Sequence, residues 1–264
     1  VSWTNQKMVQ NKWKGSEKMK RKKNAFYSFC RGLLYVPVKL IFPVKVVGKE
    51  RLPLADKVVT VSNHLSLLDI ALVGINIKGY RHILAKKELA ENKFFGKLMD
   101  WAGAIPVDRG AADMSAMRKV FDALDKGEGI TLFPEGTRNK SGEDLQEVKS
   151  GAALFALHGK CEVVPIMILH KQRAFKKNYL YVAPPFSLNE YAVGGRVNGA
   201  AVASASKRIE AEMQKAKAYI EDYVANKRWK EEKKAAKKRK AQLKQYKKEA
   251  KHAGKAMKRA LKGI

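Results

Sequence analysis

From Lys57 onward the chain alternates short apolar runs with stretches of helical period. The β-branched run Val58-Val-Thr-Val-Ser62 predicts a buried strand. Similar runs predict strands over His82–Ala85, Gly103–Val107, Gly129–Phe133, Val163–Leu169 and Leu180–Ala183. Between them, apolar residues recur every three or four positions, which predicts helices over Leu67–Ile77, Asn92–Trp101, Met114–Lys126 and Lys149–His158. Asp113 is placed to cap the third of these helices and Gly127 to end it. Strand and helix in alternation, joined by short connections, argue an α/β domain: a mostly parallel or mixed sheet flanked by helices.

The pattern changes at both ends. Residues 25–47, AFYSFCRGLLYVPVKLIFPVKVV, are strongly apolar and aromatic, but hold Arg31, Lys39, Pro37 and Pro43. A spanning helix needs ~20 mostly apolar residues. This stretch reads instead as a helix lying in the membrane interface with its cations reaching outward; a core helix of the domain is the other reading. Residues 1–23 are polar and basic but carry Trp3, Met8, Trp13 and Met19, as an interfacial segment or a basic tail would. After Pro184-Pro185 and the Gly194-Gly195 loop, residues 200–264 read as helix throughout. Ile209, Met213, Ala216, Ile220 and Val224 form a stripe there that suits packing on the domain. Beyond Trp229 no such stripe continues. The expected organisation is a basic, amphipathic membrane-association segment over 1–47, the α/β domain over 48–199, and a long basic C-terminal helix over 200–264.

Charge sharpens this picture. Of 264 residues, 54 are Lys or Arg and 25 are Asp or Glu, a net charge of +29. Residues 1–24 carry +7 and residues 226–264 carry +14, so the arms are far more basic than the middle. Such arms suit polyanions, either nucleic acid or an anionic membrane surface; the last arm is either solvated or drawn to anionic lipid. It is nearly free of aromatics and no nucleic-acid motif is present, so no nucleic acid is expected. Cys30 and Cys161 show no framework, which favours a reducing compartment. No signal-peptide pattern, no metal-ligand spacing among the five histidines and no nucleotide-binding glycine loop is evident, so neither metal nor cofactor is expected.

Candidate chemistry lies at two strand ends. His64 follows the first strand, in the turn before a helix, and Asp69 falls five residues later. On one helix five steps set residues ~140° apart, so the two meet only with His64 in the turn and Asp69 in the first helical turn. There the carboxylate can hold one ring nitrogen and leave the other to take a proton. Ser66-Leu-Leu-Asp69 equally fits a helix-capping signature, with Asp69 favoured near the N-terminus on electrostatic grounds alone. Phe133-Pro-Glu-Gly-Thr-Arg138 tips the balance, because it too ends an apolar run in a polar turn. Two such ends point to one site at the carboxyl edge of a sheet.

Asn63-His64-Leu-Ser66-Leu-Leu-Asp69 together with Phe133-Pro134-Glu135-Gly136-Thr137-Arg138 resembles the glycerophospholipid acyltransferase family, within it the 1-acylglycerol-3-phosphate acyltransferases. The blocks Ala85–Leu89, Gly103–Arg109 and Val163–Ile166 agree in order, so the resemblance spans about residues 58 to 170. The block ending in Arg109 departs from the family's usual pattern at Pro106-Val-Asp. The resemblance implies transfer of an acyl chain from acyl-CoA or acyl-carrier protein to lysophosphatidic acid, giving phosphatidic acid; glycerol 3-phosphate or another lysophospholipid is the runner-up acceptor. It implies His64 as general base, Asp69 as its orienting carboxylate, and Arg138 as the phosphate ligand. Lys86 (or Lys87) and Arg109 are further cations. Glu135 orders the turn or binds a glycerol hydroxyl, Gly136 allows close approach and offers a possible oxyanion N–H, and Thr137 completes the turn. Ser66 is expected as a cap, with no acyl-enzyme. The expected location is the membrane, monotopic or peripheral, on the cytoplasmic face.

Overall fold

Valine and isoleucine crowd the strand positions because a pleated surface buried on both faces favours β-branched side chains. In the computed structural model, strands β1 (Val44–Val47), β2 (Val58–Ser62), β3 (Arg81–Lys86), β4 (Ile105–Val107), β5 (Gly129–Leu132), β6 (Glu162–Ile168) and β7 (Asn178–Val182) are laid out. The structure describes residues 25–260 apart from 53–56, 78, 80, 93–95, 98, 100–102, 109–112, 140–144 and 193–195. Among these residues the strands form one seven-stranded sheet in the order β1-β7-β6-β2-β5-β3-β4. Strands β6, β2, β5, β3 and β4 run parallel, with Val59 opposite both Ile130 and Val163. β7 is antiparallel to β6, and β1 is parallel to β7. The carboxyl ends of the five parallel strands therefore share an edge with the amino ends of β1 and β7.

Helices cover both faces. They are α1 (Ala25–Ile41), α2 (Leu68–Asn76), the short α3 (Lys87–Glu91), α4 (Met114–Asp125), α5 (Gly151–Gly159), α6 (Gly199–Ala225) and α7 (Arg228–Ala260). Alternate residues of β2 face opposite layers. Val59 and Val61 join Val120, Leu124, Leu157, Ile209 and Met213 from α4, α5 and α6 in the larger core. Val58 joins Val73 and Ile77 beneath α2 on the other face. Asp113 caps α4, accepting the Ala116 N–H at 2.9 Å, and Gly127 follows that helix at φ 79°. The stripe foreseen on α6 is its buried face: Ile209, Met213, Ala216 and Ile220, joined by Tyr223.

Three features differ from the sequence reading. Residues 44–47 form β1 at the sheet edge instead of prolonging an interfacial helix, because Pro43 ends α1 and the valines that follow pair with β7. The C-terminal region is two helices, not one. The chain turns at Asn226 and at Lys227, whose φ is 52°. Tertiary contacts hold the turn: Lys45 Nζ donates to the Tyr223 hydroxyl at 2.6 Å, that hydroxyl donates to Glu232 at 2.5 Å, and Lys177 lies over the Trp229 ring. The short helix α3 follows β3 directly, where no helix was foreseen. The helix expected over 92–101 falls largely outside the described residues, as do Trp3, Met8, Trp13 and Met19. No described helix is long and apolar enough to cross a membrane.

Candidate active site

Strand β2 ends at Ser62, and the polar residues that follow cannot continue a strand buried on both faces. Asn63 extends the pairing with its side chain instead. Its Nδ2 donates to the Ile168 carbonyl at 2.9 Å and its Oδ1 accepts the Ile168 N–H at 2.8 Å, stitching the end of β2 to β6. His64 is thereby set in the turn before α2, only 5% exposed, with its ring stacked on Phe133 at 4.2 Å between centroids. Its Nδ1 is 2.9 Å from Asp69 Oδ2, and Asp69 is fully buried. A carboxylate only accepts, so Nδ1 carries the hydrogen and Nε2 is the nitrogen left to take a proton.

The capping and catalytic readings of Asp69 turn out to be compatible. The same Oδ2 accepts the N–H groups of Leu65 at 2.6 Å and Ser66 at 2.7 Å, while Ser66 Oγ accepts the Leu68 N–H at 3.1 Å. Ser66 therefore acts as a turn cap. The other carboxylate oxygen, Oδ1, accepts from Gln172 Nε2. The carboxylate is thus held on both oxygens, which restricts its orientation toward the imidazole.

The second motif clamps the main chain of the same histidine. Glu135 Oε1 accepts the His64 N–H at 2.9 Å, and the Asn139 N–H donates to the His64 carbonyl at 2.7 Å. Glu135 Oε2 accepts the Gln146 N–H at 3.2 Å. Burial pushes the Glu135 carboxyl above the ordinary range, against the pull of those two N–H donors. Glu135 therefore orders the turn, one of the two roles foreseen for it. Gly136 takes φ 72°, a left-handed backbone that a side chain would strain, and the flexible end of Lys149 lies against it. Its N–H, expected as a possible oxyanion donor, is instead bonded to the Phe133 carbonyl at 3.0 Å within the turn. Thr137 Oγ1 donates to Gln146 Oε1 at 2.9 Å. Thr137 and Arg138 are exposed, on a segment anchored to His64 at both ends.

Lys86 ends β3 on the same edge, two strands from β2, so its backbone stands ~10 Å from that strand. Its amine pairs with Glu88 at 2.7 Å, and an exposed pair of this kind is weakly held. Lys87 opens α3, and its side chain is exposed. Arg109 lies outside the described residues. The residues that sequence reasoning missed are Gln172, Asn139 and Lys149, whose ammonium lies over Gly136. Cys161 is buried and its thiol is pushed up to about 11 by that burial, which leaves it no nucleophile near neutral pH. Among the described residues no three His, Cys, Asp or Glu side chains are grouped to hold a metal ion.

Comparison with known proteins decides the family. A family model described as acyltransferase matches residues 43–169. The 1-acyl-sn-glycerol-3-phosphate acyltransferase of Bacillus subtilis is 37% identical over 140 residues, covering 53% of this chain and 69% of that protein. The chain belongs to the acyltransferase family. The family region begins just ahead of β1 and ends one residue past β6, so it contains both motifs and leaves out Gln172, β7, α6 and α7. The Helicobacter pylori protein of the same name is 32% identical over 122 residues, covering 46% of this chain and 52% of that protein. This acyltransferase chain thus spans about half the length of that relative. Among solved structures, the 1-acyl-sn-glycerophosphate (LPA) acyltransferase PlsC of Thermotoga maritima superposes with a TM-score of 0.53 at 21% identity, covering 73% of this chain and 82% of that one. That likeness establishes the mixed α/β fold.

Proposed function

We propose that this chain transfers a fatty acyl group from an acyl thioester to the sn-2 hydroxyl of 1-acylglycerol 3-phosphate, releasing phosphatidic acid and a thiol. The names of the B. subtilis and H. pylori relatives support the substrate. One observation carries the reading: His64 is held at its ring by Asp69 and at its main chain by the segment from Glu135 to Asn139. A base and a phosphate-binding turn are thereby fixed to each other.

In the proposed reaction, Nε2 accepts the hydroxyl proton as the acceptor oxygen attacks the thioester carbonyl carbon. Asp69 steadies the imidazolium that results. The tetrahedral intermediate collapses, the C–S bond breaks, and the thiolate takes the proton from the imidazolium. No side chain becomes acylated. Arg138 engages the acceptor phosphate through its planar guanidinium, and Lys86, Arg109 and Lys149 add positive charge around it. Glu135, Gly136 and Thr137 shape the turn that presents Arg138. The donor is acyl-CoA or acyl-carrier protein; both are acidic, and a chain of net charge +29 draws either toward it. Both substrates carry long chains, so the enzyme works at a membrane surface, with α1 against the lipid.

The test is thiol release by the purified protein, given acyl-CoA or acyl-carrier protein and a choice of acceptors. Release should depend on lysophosphatidic acid. Faster release with glycerol 3-phosphate or lysophosphatidylcholine would move the acceptor assignment, and no release with any acceptor would remove the activity.

A further inference from the structure

The loop between β6 and β7, residues 169–177 (LHKQRAFKK), holds Lys171, Arg173, Lys176 and Lys177 and no acid. Past Leu169 it lies beyond the family region, and apart from Gln172 it takes no part in the reaction scheme above, yet its shape is built. The buried Asn178 side chain accepts the Arg173 N–H at 2.9 Å and donates to the Arg173 carbonyl at 3.1 Å and the Lys176 carbonyl at 2.9 Å. This cage displays Phe175 at φ 56° with 79% of its surface exposed. A bulky non-glycine residue in the left-handed region is strained, and an exposed ring recovers nothing from the protein interior.

The loop joins two other exposed apolar segments. The Phe175 N–H donates to the Ile41 carbonyl at the end of α1, at 2.6 Å. On α1, Leu33, Val36 and Leu40 are 65%, 59% and 70% exposed, an i, i+3, i+7 stripe facing away from the core. On its other side the loop sends Gln172 to Asp69, beside the exposed Leu67 and Leu68. α1, the loop and the catalytic turn thus meet at one edge of the sheet.

We infer that the β6–β7 loop is a second lipid-contacting element, seating Phe175 at the acyl–headgroup boundary of an anionic bilayer with Lys171, Arg173 and Lys176 at the phosphates. An aromatic ring flanked by Lys and Arg suits that boundary, and the charge of the loop complements anionic headgroups. The inference deepens the membrane-surface part of the proposed function and rests on it. It specifies which edge of the sheet meets the lipid: the one from which His64 and Asp69 open.

The test is co-sedimentation of the full chain and its Phe175→Gly variant with phosphatidylcholine–phosphatidylglycerol vesicles, alongside thermal unfolding of both. Glycine removes the ring and accepts the left-handed backbone. The inference expects affinity to fall roughly tenfold, with the melting temperature unchanged or raised. Equal affinity of the two proteins overturns it. So does a parallel loss of melting temperature, which would make Phe175 a structural residue. Wild-type protein that ignores the vesicles but binds a DNA duplex through this ring overturns it as well. No substrate is present, so the result is independent of whether acyl transfer from thioester to lysophosphatidic acid is detected.

Discussion

Asp69 takes hydrogen bonds from His64 Nδ1, the Leu65 and Ser66 N–H groups and Gln172 Nε2. Its orientation is over-determined, which is what a proton-transfer pair requires if the imidazole is to keep one tautomer. Gln172 is a positioning residue in this scheme. Gln172→Ala should lower kcat roughly tenfold with little change in KM, and Gln172→Glu should shift the pH–rate profile by setting a second carboxylate beside Asp69. A pH profile and KM identical to wild type in both would make the contact incidental. Arg138→Ala belongs to the same scale: loss of a charge-assisted phosphate contact should raise KM for lysophosphatidic acid roughly tenfold or more. An unchanged KM would assign the phosphate to other cations. That His64 and Asp69 meet was legible from their place at a strand end only together with the second motif, because their spacing alone fits a helix cap equally well. Gln172 was not, because it lies 103 residues from Asp69 in a basic loop that reads as a solvated surface. The Gly136 N–H was misjudged for a related reason: only the folded turn reveals that the Phe133 carbonyl takes it.

At the scale of the element, β2 ends where Asn63 takes over its ladder, and β6 begins beside the buried Cys161. The ordinary thiol value is 9.0, and burial raises it to about 11 in the fold. The native state therefore holds that proton more tightly than the unfolded chain does. The corresponding stability is fully present below pH 9.0 and is lost as pH rises through about 11. Urea unfolding across this window should show a decline that is shallower in Cys161→Ala; identical slopes would place the alkaline decline elsewhere. The central strands were legible almost to the residue, because burial on both faces leaves a continuous β-branched run bounded by polar turns. Strand β1 was not, since four residues after Pro43 merge with an apolar segment and gain a partner only from β7, over a hundred residues on. The break between α6 and α7 carries neither proline nor glycine. It is made by Tyr223, Glu232, Lys45 and Trp229 meeting in space.

At the scale of the molecule, strand direction gathers the chemistry. Five parallel strands end on one edge, and β2, β5 and β6 deliver His64, the Glu135 turn and Gln172 to it. β1 and β7 start from that edge, which brings the end of α1 and the loop holding Phe175 beside the site. A base facing an interface where both lipid substrates reside is the proposed working arrangement. α6 lays its apolar stripe across the larger core, and α7 leaves it as a basic helix of 33 residues. In the proposed reaction the His64 imidazole removes the acceptor proton. Thiol release from an acyl thioester in the presence of lysophosphatidic acid, measured for wild type and His64→Ala at equal concentration and equal thermal stability, tests it most directly. The variant should lose nearly all turnover. Substantial release by a folded His64→Ala protein would contradict it.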